Sequence, residues 1–181
     1  MKFLLAGLVF GVSAVAFAAA PLTESTFTEI VREVNVVTAA NKIVTPARQD
    51  ARFKAPDLVR TGPASRAEMT APGQTITRLG ANTIFTFAAG GRNLRLEKGS
   101  LLFHAPADKG GGTINYRGTA AAVLGTTLIC TVLPGGSFKT LVLEGQGQVT
   151  LRDKRSVTLK AGEMVIVRPD GNDFGPVLVF S

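Results

Sequence analysis

The chain has 181 residues, of which 45% are hydrophobic, and its 20 Lys and Arg against 13 Asp and Glu give a net charge of +7. This length and apolar content suit one domain with a real core, and the basic surplus favours acidic partners. Cys130 is the single cysteine, which excludes an intramolecular disulfide. Stability must therefore come from burial and from hydrogen bonds between strands.

The N-terminus has the pattern of a secretory signal peptide. Lys2 precedes an apolar run over residues 3–17, and Ala16-Phe17-Ala18 offers small residues for cleavage. The run is shorter than the ~20 apolar residues that span a bilayer, and no later segment has the length or apolarity of a span. We expect a signal peptide over 1–18 and one β domain over 19–181, periplasmic or secreted. Loss of Lys2 leaves 19 basic and 13 acidic residues, a net charge of +6.

Beyond the signal peptide, one local pattern recurs. Residues 94–103 read Leu-Arg-Leu-Glu-Lys-Gly-Ser-Leu-Leu-Phe, and residues 141–151 and 157–167 repeat this arrangement of apolar runs around a glycine. Alternating apolar residues on both sides of a glycine predict a strand, a tight turn and a second strand.

Three further stretches also read as strands. The β-branched residues within Glu29–Val37 favour a strand. Residues 119–124 are rich in Ala, but Gly118 and Gly125 leave room for less than two helical turns, which favours a strand there as well. Cys130 lies beside Leu128, Ile129 and Val132, so we expect it to be a buried core residue.

Sustained helical periodicity is absent from the sequence, so the fold class is all-β with about a dozen short strands. Two arrangements fit this pattern. One is a sandwich of antiparallel hairpins, and the other is a partly solenoid-like winding in which similar units stack. The irregular spacing of the repeated pattern does not support a solenoid of one fixed period.

An ordered succession of short fragments resembles the FecR-like periplasmic domain family. The fragments are Asp57-Leu-Val-Arg60-Thr61-Gly62, Ser65-Arg66-Ala67-Glu68, Arg78-Leu79-Gly80-Ala81-Asn82-Thr83, Leu96-Glu97-Lys98-Gly99-Ser100-Leu101-Leu102, Gly125-Thr126-Thr127, Val142-Leu143-Glu144-Gly145 and Ala161-Gly162-Glu163. The resemblance covers residues 30–170. It implies an all-β, partly solenoid-like periplasmic domain.

The resemblance also implies a role in signalling. Full-length members that regulate iron uptake place this domain outside the inner membrane, behind a cytoplasmic anti-sigma segment and one span, where it contacts an outer-membrane transporter. This sequence shows a cleavable-looking signal instead of that segment and span. We therefore expect a stand-alone, non-enzymatic envelope domain that binds a partner, rather than one that controls a sigma factor.

The residue pattern offers little for catalysis. His104 has no metal-ligand spacing around it, and Ser65 and Ser100 lie outside any nucleophile-elbow motif, so we expect no enzyme activity, metal or cofactor. Nucleic acid is not an expected partner, because the cations are scattered and aromatic residues are few. The alternative function is a carbohydrate-active or lectin-like secreted module, in which Glu97 and Glu144 are the carboxylates to test.

The expected partner is an envelope protein or an anionic envelope polymer. Open β domains end in unpaired strand edges that accept a strand from another chain. The first apolar strand, around residues 30–37, and the last, residues 177–180, are the candidates for this role, and Arg168 adds positive charge near the last one. The alternative is that each of these strands simply completes the domain's own sheet. The candidate partner-binding residues are Ile30, Val34, Arg168, Val177 and Val179.

The signal-peptide interpretation predicts the N-terminus of the exported protein. Because the apolar run is short and is followed by a cleavable site, intact-mass spectrometry of exported protein should give a chain that starts at Ala19. A full-length N-terminus retained in the inner membrane would contradict cleavage and indicate an anchored receptor.

Overall fold

The computed structural model describes residues 20–88, 90–123 and 125–180, and the predicted signal peptide lies outside these residues. The described chain is almost entirely β. The strands in the first half are β1 (Glu24–Val31), β2 (Val34–Val37), β3 (Val44–Pro46), β4 (Arg52–Lys54), β5 (Leu58–Thr61), β6 (Arg66–Ala71), β7 (Thr75–Leu79), β8 (Ile84–Phe87) and β9 (Asn93–Ala105). A 3-10 turn at Ala107–Lys109 precedes β10 (Gly112–Tyr116), β11 (Thr119–Val123), β12 (Thr126–Val132), β13 (Phe138–Glu144), β14 (Gln146–Thr150), β15 (Ser156–Lys160), β16 (Glu163–Val167) and β17 (Leu178–Val179).

The strand pairings form two sheets that share β9. Sheet A has the order β4-β1-β6-β7-β9-β12-β13-β16-β17. Sheet B has the order β3-β2-β5-β8-β9-β10-β11-β14-β15. Among these pairings only β9 with β10 is parallel. The second half of β9 belongs to sheet A and its first half belongs to sheet B.

One apolar core lies between the two sheets. Phe53 of sheet A contacts Phe85 and Phe87 of sheet B, with ring centroids 6.2 and 5.6 Å apart. Further along the sandwich, Tyr116 of sheet B stacks on Phe138 of sheet A at 5.5 Å. Because side chains alternate between the two faces of a strand, every second residue enters this core. The molecule is therefore a β-sandwich held together by aromatic and aliphatic packing.

The recurring glycine pattern forms corners between the sheets. The predicted succession of strand, turn and strand is present around Gly145 and Gly162, where the two strands belong to different sheets, and it is wrong around Gly99. The stretch around Gly99 is a single strand, β9, which passes from sheet B to sheet A. Gly99 has φ of 82°, a conformation open to glycine but costly for other residues. Gly145 and the Ala161-Gly162 pair connect strands of different sheets in the same way.

The corners stack in two rows, one on each side of the sandwich. In the first row, the Gly62 N–H donates to Glu33 O at 2.9 Å and the Asn82 N–H donates to Gly62 O at 3.1 Å. In the second row, the Ala161 N–H donates to Gly145 O at 3.1 Å and the Phe180 N–H donates to Gly162 O at 2.9 Å. We call each pair of strands that follow one another across a corner, one from each sheet, a rung. Successive rungs are thus joined by main-chain hydrogen bonds at the places where the chain changes sheet.

The all-β prediction is confirmed, and of the two predicted arrangements the structure shows the sandwich. Neighbouring strands are antiparallel throughout both sheets except for β9 with β10, and both sheets have open edges, so a solenoid is not supported. The described residues contain 17 strands rather than about a dozen. The difference comes from pieces of two to four residues, such as β3 and β4, which are too short to show a period.

The other strand assignments hold in most details. The Ala-rich stretch is β11, and Cys130 lies fully buried in β12. The segment Glu29–Val37 forms parts of two strands rather than one, because the chain changes sheet at Arg32, which has φ of 60°.

The close packing at Gly99 predicts a large effect of a small substitution. A Cβ at this position would lie 2.6 Å from Thr83 Cα and 2.9 Å from Asn82 O. We expect Gly99→Ala to lower the free energy of unfolding by at least about 2 kcal/mol, measured by urea denaturation. Gly135→Ala is the matched control, because Gly135 has φ of 89° and a Cβ added there would have no atom within 4 Å. Equal losses for both variants would contradict the packing explanation.

The environment of Cys130 predicts an inert thiol. Burial raises the pKa of Cys130 to about 12, so the reactive thiolate is scarce at neutral pH. Native protein at pH 8 should therefore resist N-ethylmaleimide for hours, whereas urea-unfolded protein should react within minutes. Rapid labelling of the native protein, followed by mass spectrometry, would show that β12 opens readily.

Candidate functional site

A row of apolar side chains crosses the outer face of sheet A, away from the core. Directly opposed residues of antiparallel strands point to the same face, and the register connects one residue from each of five neighbouring strands. These residues, which we call the apolar stripe, are Leu102, Ile129, Leu141, Met164 and Leu178. With strands about 4.8 Å apart, the stripe is roughly 19 Å long.

The local sequences explain why the stripe exists. Strands β9, β12, β13 and β16 contain consecutive apolar residues, so they present apolar side chains to both faces of the sheet. Leu101, Val142 and Val165 are buried in the core, whereas their neighbours in the stripe remain partly exposed. Strands with apolar residues on both faces are typical of sheets that are covered on both faces.

Sheet B presents a different outer face along the same half of the sandwich. Its outward residues are small or polar, and the larger ones carry amides, hydroxyls or, at Lys160, an ammonium group. They include Thr113, Asn115, Ala120, Gln146, Gln148 and Thr158. This contrast shows that the apolar outer face is specific to sheet A and is not a general property of the surface.

The stripe ends at an open strand edge. In β17 and just before it, Val177, Leu178 and Val179 are 42%, 41% and 79% exposed. The Phe180 N–H donates to Gly162 O, so the residues on either side of Leu178 direct their main-chain N–H and C=O groups away from β16. This edge therefore offers unpaired hydrogen-bonding groups beside apolar side chains.

The opposite end of the sandwich is protected against strand addition. Strands β3 and β4 have three residues each, and Pro46 ends β3. Arg52 and Lys54 place cations along β4 and lie 3.8 and 3.9 Å from the Glu24 carboxylate. Short edge strands, proline and charged side chains all disfavour pairing with another chain. The β17 edge carries no charged residue between Val177 and Phe180.

The predicted partner-binding residues divide between these two ends. Ile30 is half-buried against the core and Val34 is only 3% exposed, so the first apolar strands are largely occupied by core packing. Val177 and Val179 are exposed at the β17 edge. Arg168 is near that edge, with its Nε 3.6 Å from Asp173 Oδ2. The structure thus brings three of the five residues to one end.

Sequence reasoning missed the apolar stripe. Ile129 neighbours Cys130 in a strongly apolar strand, and the sequence alone places both in the core. The available signal was the absence of alternation in β9, β12, β13 and β16, since a half-exposed strand alternates apolar and polar residues.

A short polar chain lies beside the stripe on the same face. Thr127 Oγ1 donates to Glu144 Oε2 at 2.7 Å, and His104 Nδ1 lies 2.9 Å from Thr127 Oγ1. Within the described ranges, no three His, Cys, Asp or Glu side chains gather as metal ligands. Glu97 lies on sheet B, so it does not meet Glu144. The hydrogen bonds hold His104 and Glu144 at the margin of the stripe.

A cluster of charged side chains on β1, β6 and β7 of sheet A lies beyond the stripe and is paired. Arg78 Nε donates to Glu68 Oε2 at 2.6 Å, and Thr28 Oγ1 donates to the other oxygen of Glu68 at 2.8 Å. These two hydrogen bonds lower the pKa of Glu68. The side chains of Arg66 and Glu29 also pair, at 3.2 Å. These side chains are thus occupied by contacts with one another, unlike the apolar stripe.

The described residues contain no helix with the length and hydropathy of a membrane span. A comparison with curated proteins returned no match.

Two solved structures are similar to this chain in fold. Both are crystal structures of a candidate anti-sigma factor from Parabacteroides distasonis ATCC 8503, at 1.65 and 2.50 Å resolution. The first is 18% identical with a TM-score of 0.59, and the second is 16% identical with a TM-score of 0.57. Each alignment covers 67% of this chain and 59% of the other, so the similarity spans little more than half of that protein.

The family model described as FecR protein matches residues 57–148. The match runs from β5 to β14 and therefore includes corners of both rows. It covers about half of the 181 residues. The chain belongs to the FecR protein family.

Proposed function

We propose that this chain is a non-catalytic protein-binding domain of the FecR regulator type that acts in the bacterial envelope. The observation that carries the proposal is the apolar stripe of sheet A, which continues into the open edge of β17. Its occupant is an extended segment of a different envelope protein. That segment adds a strand beside β17, and the body of its protein covers the stripe.

The size of the surface favours strand addition at the β17 edge over docking on the apolar stripe alone. The stripe measures roughly 19 by 7 Å, on the order of 130 Å². A stable interface buries about 800 Å² on each partner. The stripe is therefore too small to hold a partner by apolar contact alone, and main-chain hydrogen bonds at the edge supply what the area lacks.

The chemistry of the edge also suits strand addition. Hydrogen bonds between main chains are indifferent to side-chain identity, so specificity comes from alternate side chains that enter neighbouring pockets. Leu178 belongs to the stripe, so one face of an added strand would continue the apolar row. Val177 and Val179 direct their unpaired groups to the incoming chain.

The family supports a regulatory role. FecR-type proteins are regulators rather than enzymes, and the two similar structures are described as a candidate anti-sigma factor. The expected signal peptide supports an envelope location.

Site-specific photo-crosslinking in cells that make this protein natively tests the proposal. A photoreactive amino acid at position 178 or 179 should give an adduct with a second, different protein in the envelope fraction. The same group at position 158, on the polar face of sheet B, is the matched control and should give little adduct. Adducts only with a second copy, only with glycan, or equal at the edge and at position 158 would contradict the proposal.

A charge placed on the edge should weaken this complex while leaving the fold intact. We expect Val179→Lys to reduce the adduct formed from position 178 at least about tenfold, because an edge lysine opposes strand pairing. The change of urea midpoint should be small, since Val179 is 79% exposed. Ile43→Lys, at the protected end, is the control because Ile43 is 53% exposed. An unchanged yield of adduct in Val179→Lys would exclude strand addition at the β17 edge.

A further inference from the structure

A concave groove on sheet B provides a second candidate site, on the opposite layer from the apolar stripe. It lies against the first row of corners and has a volume of about 330 Å³. Small-molecule and side-chain sites begin at about this size. The residues that matter for its chemistry are Glu33, Asn35, Arg60, Asn82, Ile84 and Lys98.

The strand register explains how the two cations come to share the groove. Arg60 of β5 is opposite Ile84 of β8, and Ile84 is opposite Lys98 of β9. These three residues therefore point outward in one row, with the aliphatic Ile84 between the cations. Two strand spacings separate the cation-bearing positions by about 10 Å, which two long side chains can bridge.

The polar groups of the groove have unused hydrogen-bonding capacity. Within the described chain, neither Arg60 nor Lys98 forms an ion pair, and the Asn82 side-chain amide makes no hydrogen bond. The Glu33 carboxylate accepts one hydrogen bond, from Asn35 Nδ2 at 3.2 Å. On sheet A, by contrast, Arg66 and Arg78 are paired with carboxylates.

The residues beside Arg60 and Lys98 stabilise the fold, whereas these two cations have no such structural role. Thr61 Oγ1 donates to Gly80 O at 2.6 Å, and Thr83 Oγ1 donates to Ser100 O at 3.1 Å. These buried threonines tie the corners together. Arg60 and Lys98 are exposed and make no comparable bond, although both lie within the residues that match the family.

The missing side chain of Gly62 helps to shape the groove. A Cβ on Gly62 would lie 3.1 Å from Glu33 Cβ, so the glycine leaves space for the Glu33 side chain to line the wall. The groove thus combines two cations with one carboxylate, a net charge of +1. That balance suits a single carboxylate accompanied by N–H donors, and it disfavours a phosphate dianion.

We propose that this groove binds a glutamyl side chain of an acidic peptide segment. The peptide carboxylate lies between Arg60 and Lys98, its methylene stem contacts Ile84, and its backbone N–H groups donate to Glu33. A guanidinium fork fits a carboxylate with two parallel hydrogen bonds. A sugar acid is the less favoured ligand, since the groove has no aromatic side chain on which a sugar ring could stack. The site is independent of the β17 edge.

Nuclear magnetic resonance titration of labelled full chain tests this assignment. The probe is acetyl-Ala-Glu-Ala-amide, and acetyl-Ala-Gln-Ala-amide is the neutral control. The glutamyl peptide should shift the side-chain resonances of Arg60, Lys98 and Asn82, and the glutaminyl peptide should not. The proposal would be overturned if both peptides shifted these resonances, if the shifts lay elsewhere on the surface, or if glucuronate shifted them and the glutamyl peptide did not.

Two variants separate the roles of the groove residues. Arg60→Gln should lower the affinity for the glutamyl peptide at least about tenfold. Lys160 is an exposed cation outside the groove, so Lys160→Gln should leave this affinity unchanged. Glu33→Gln should increase the affinity for inorganic phosphate severalfold, because it removes the negative charge that opposes a dianion. An unchanged phosphate affinity in Glu33→Gln, or unchanged peptide binding in Arg60→Gln, would contradict the assignment. These outcomes do not depend on whether β17 binds a partner.

Discussion

The close approach of main chain to main chain at the sheet corners is the constraint on which the structure depends. At Gly99 and Gly125 a methyl group would overlap the neighbouring rung, so these corners need glycine for space as well as for backbone conformation. The corner hydrogen bonds fix the vertical order of the rungs. That order sets the strand register, and the register decides which side chains reach the outer faces. Both candidate sites follow from it.

The fold class was accessible from the sequence because short apolar runs separated by glycines are compatible with few folds other than an all-β one. The role of these glycines was not accessible, because the same Lys98-Gly99 sequence is compatible with a hairpin and with a corner between sheets. Only long-range pairing decides between them, and β9 remains continuous through Gly99. The exposure of Val179 could be predicted from its place in the last apolar run of the sequence. The outward direction of Ile129 required the register with Leu102 and Leu141.

The two outer faces divide the surface chemically. Sheet A offers an apolar row that ends at an unpaired strand, whereas sheet B offers amides, hydroxyls and the groove between Arg60 and Lys98. A regulator that relays a signal needs contacts whose strengths can differ between states. The proposed strand addition at the edge and the proposed side-chain binding in the groove would meet this need by different forces, one by main-chain hydrogen bonds and the other by charge.

The most direct test of the account is amide hydrogen exchange at the β17 edge, measured in the protein alone and in its complex from the envelope. In the free protein the Val179 N–H should exchange rapidly, and the Phe180 N–H, bonded to Gly162 O, should be slower. In the complex the Val179 N–H should become protected, together with amides on the partner segment. Unchanged exchange at Val179, with protection confined to sheet B, would contradict strand addition at this edge.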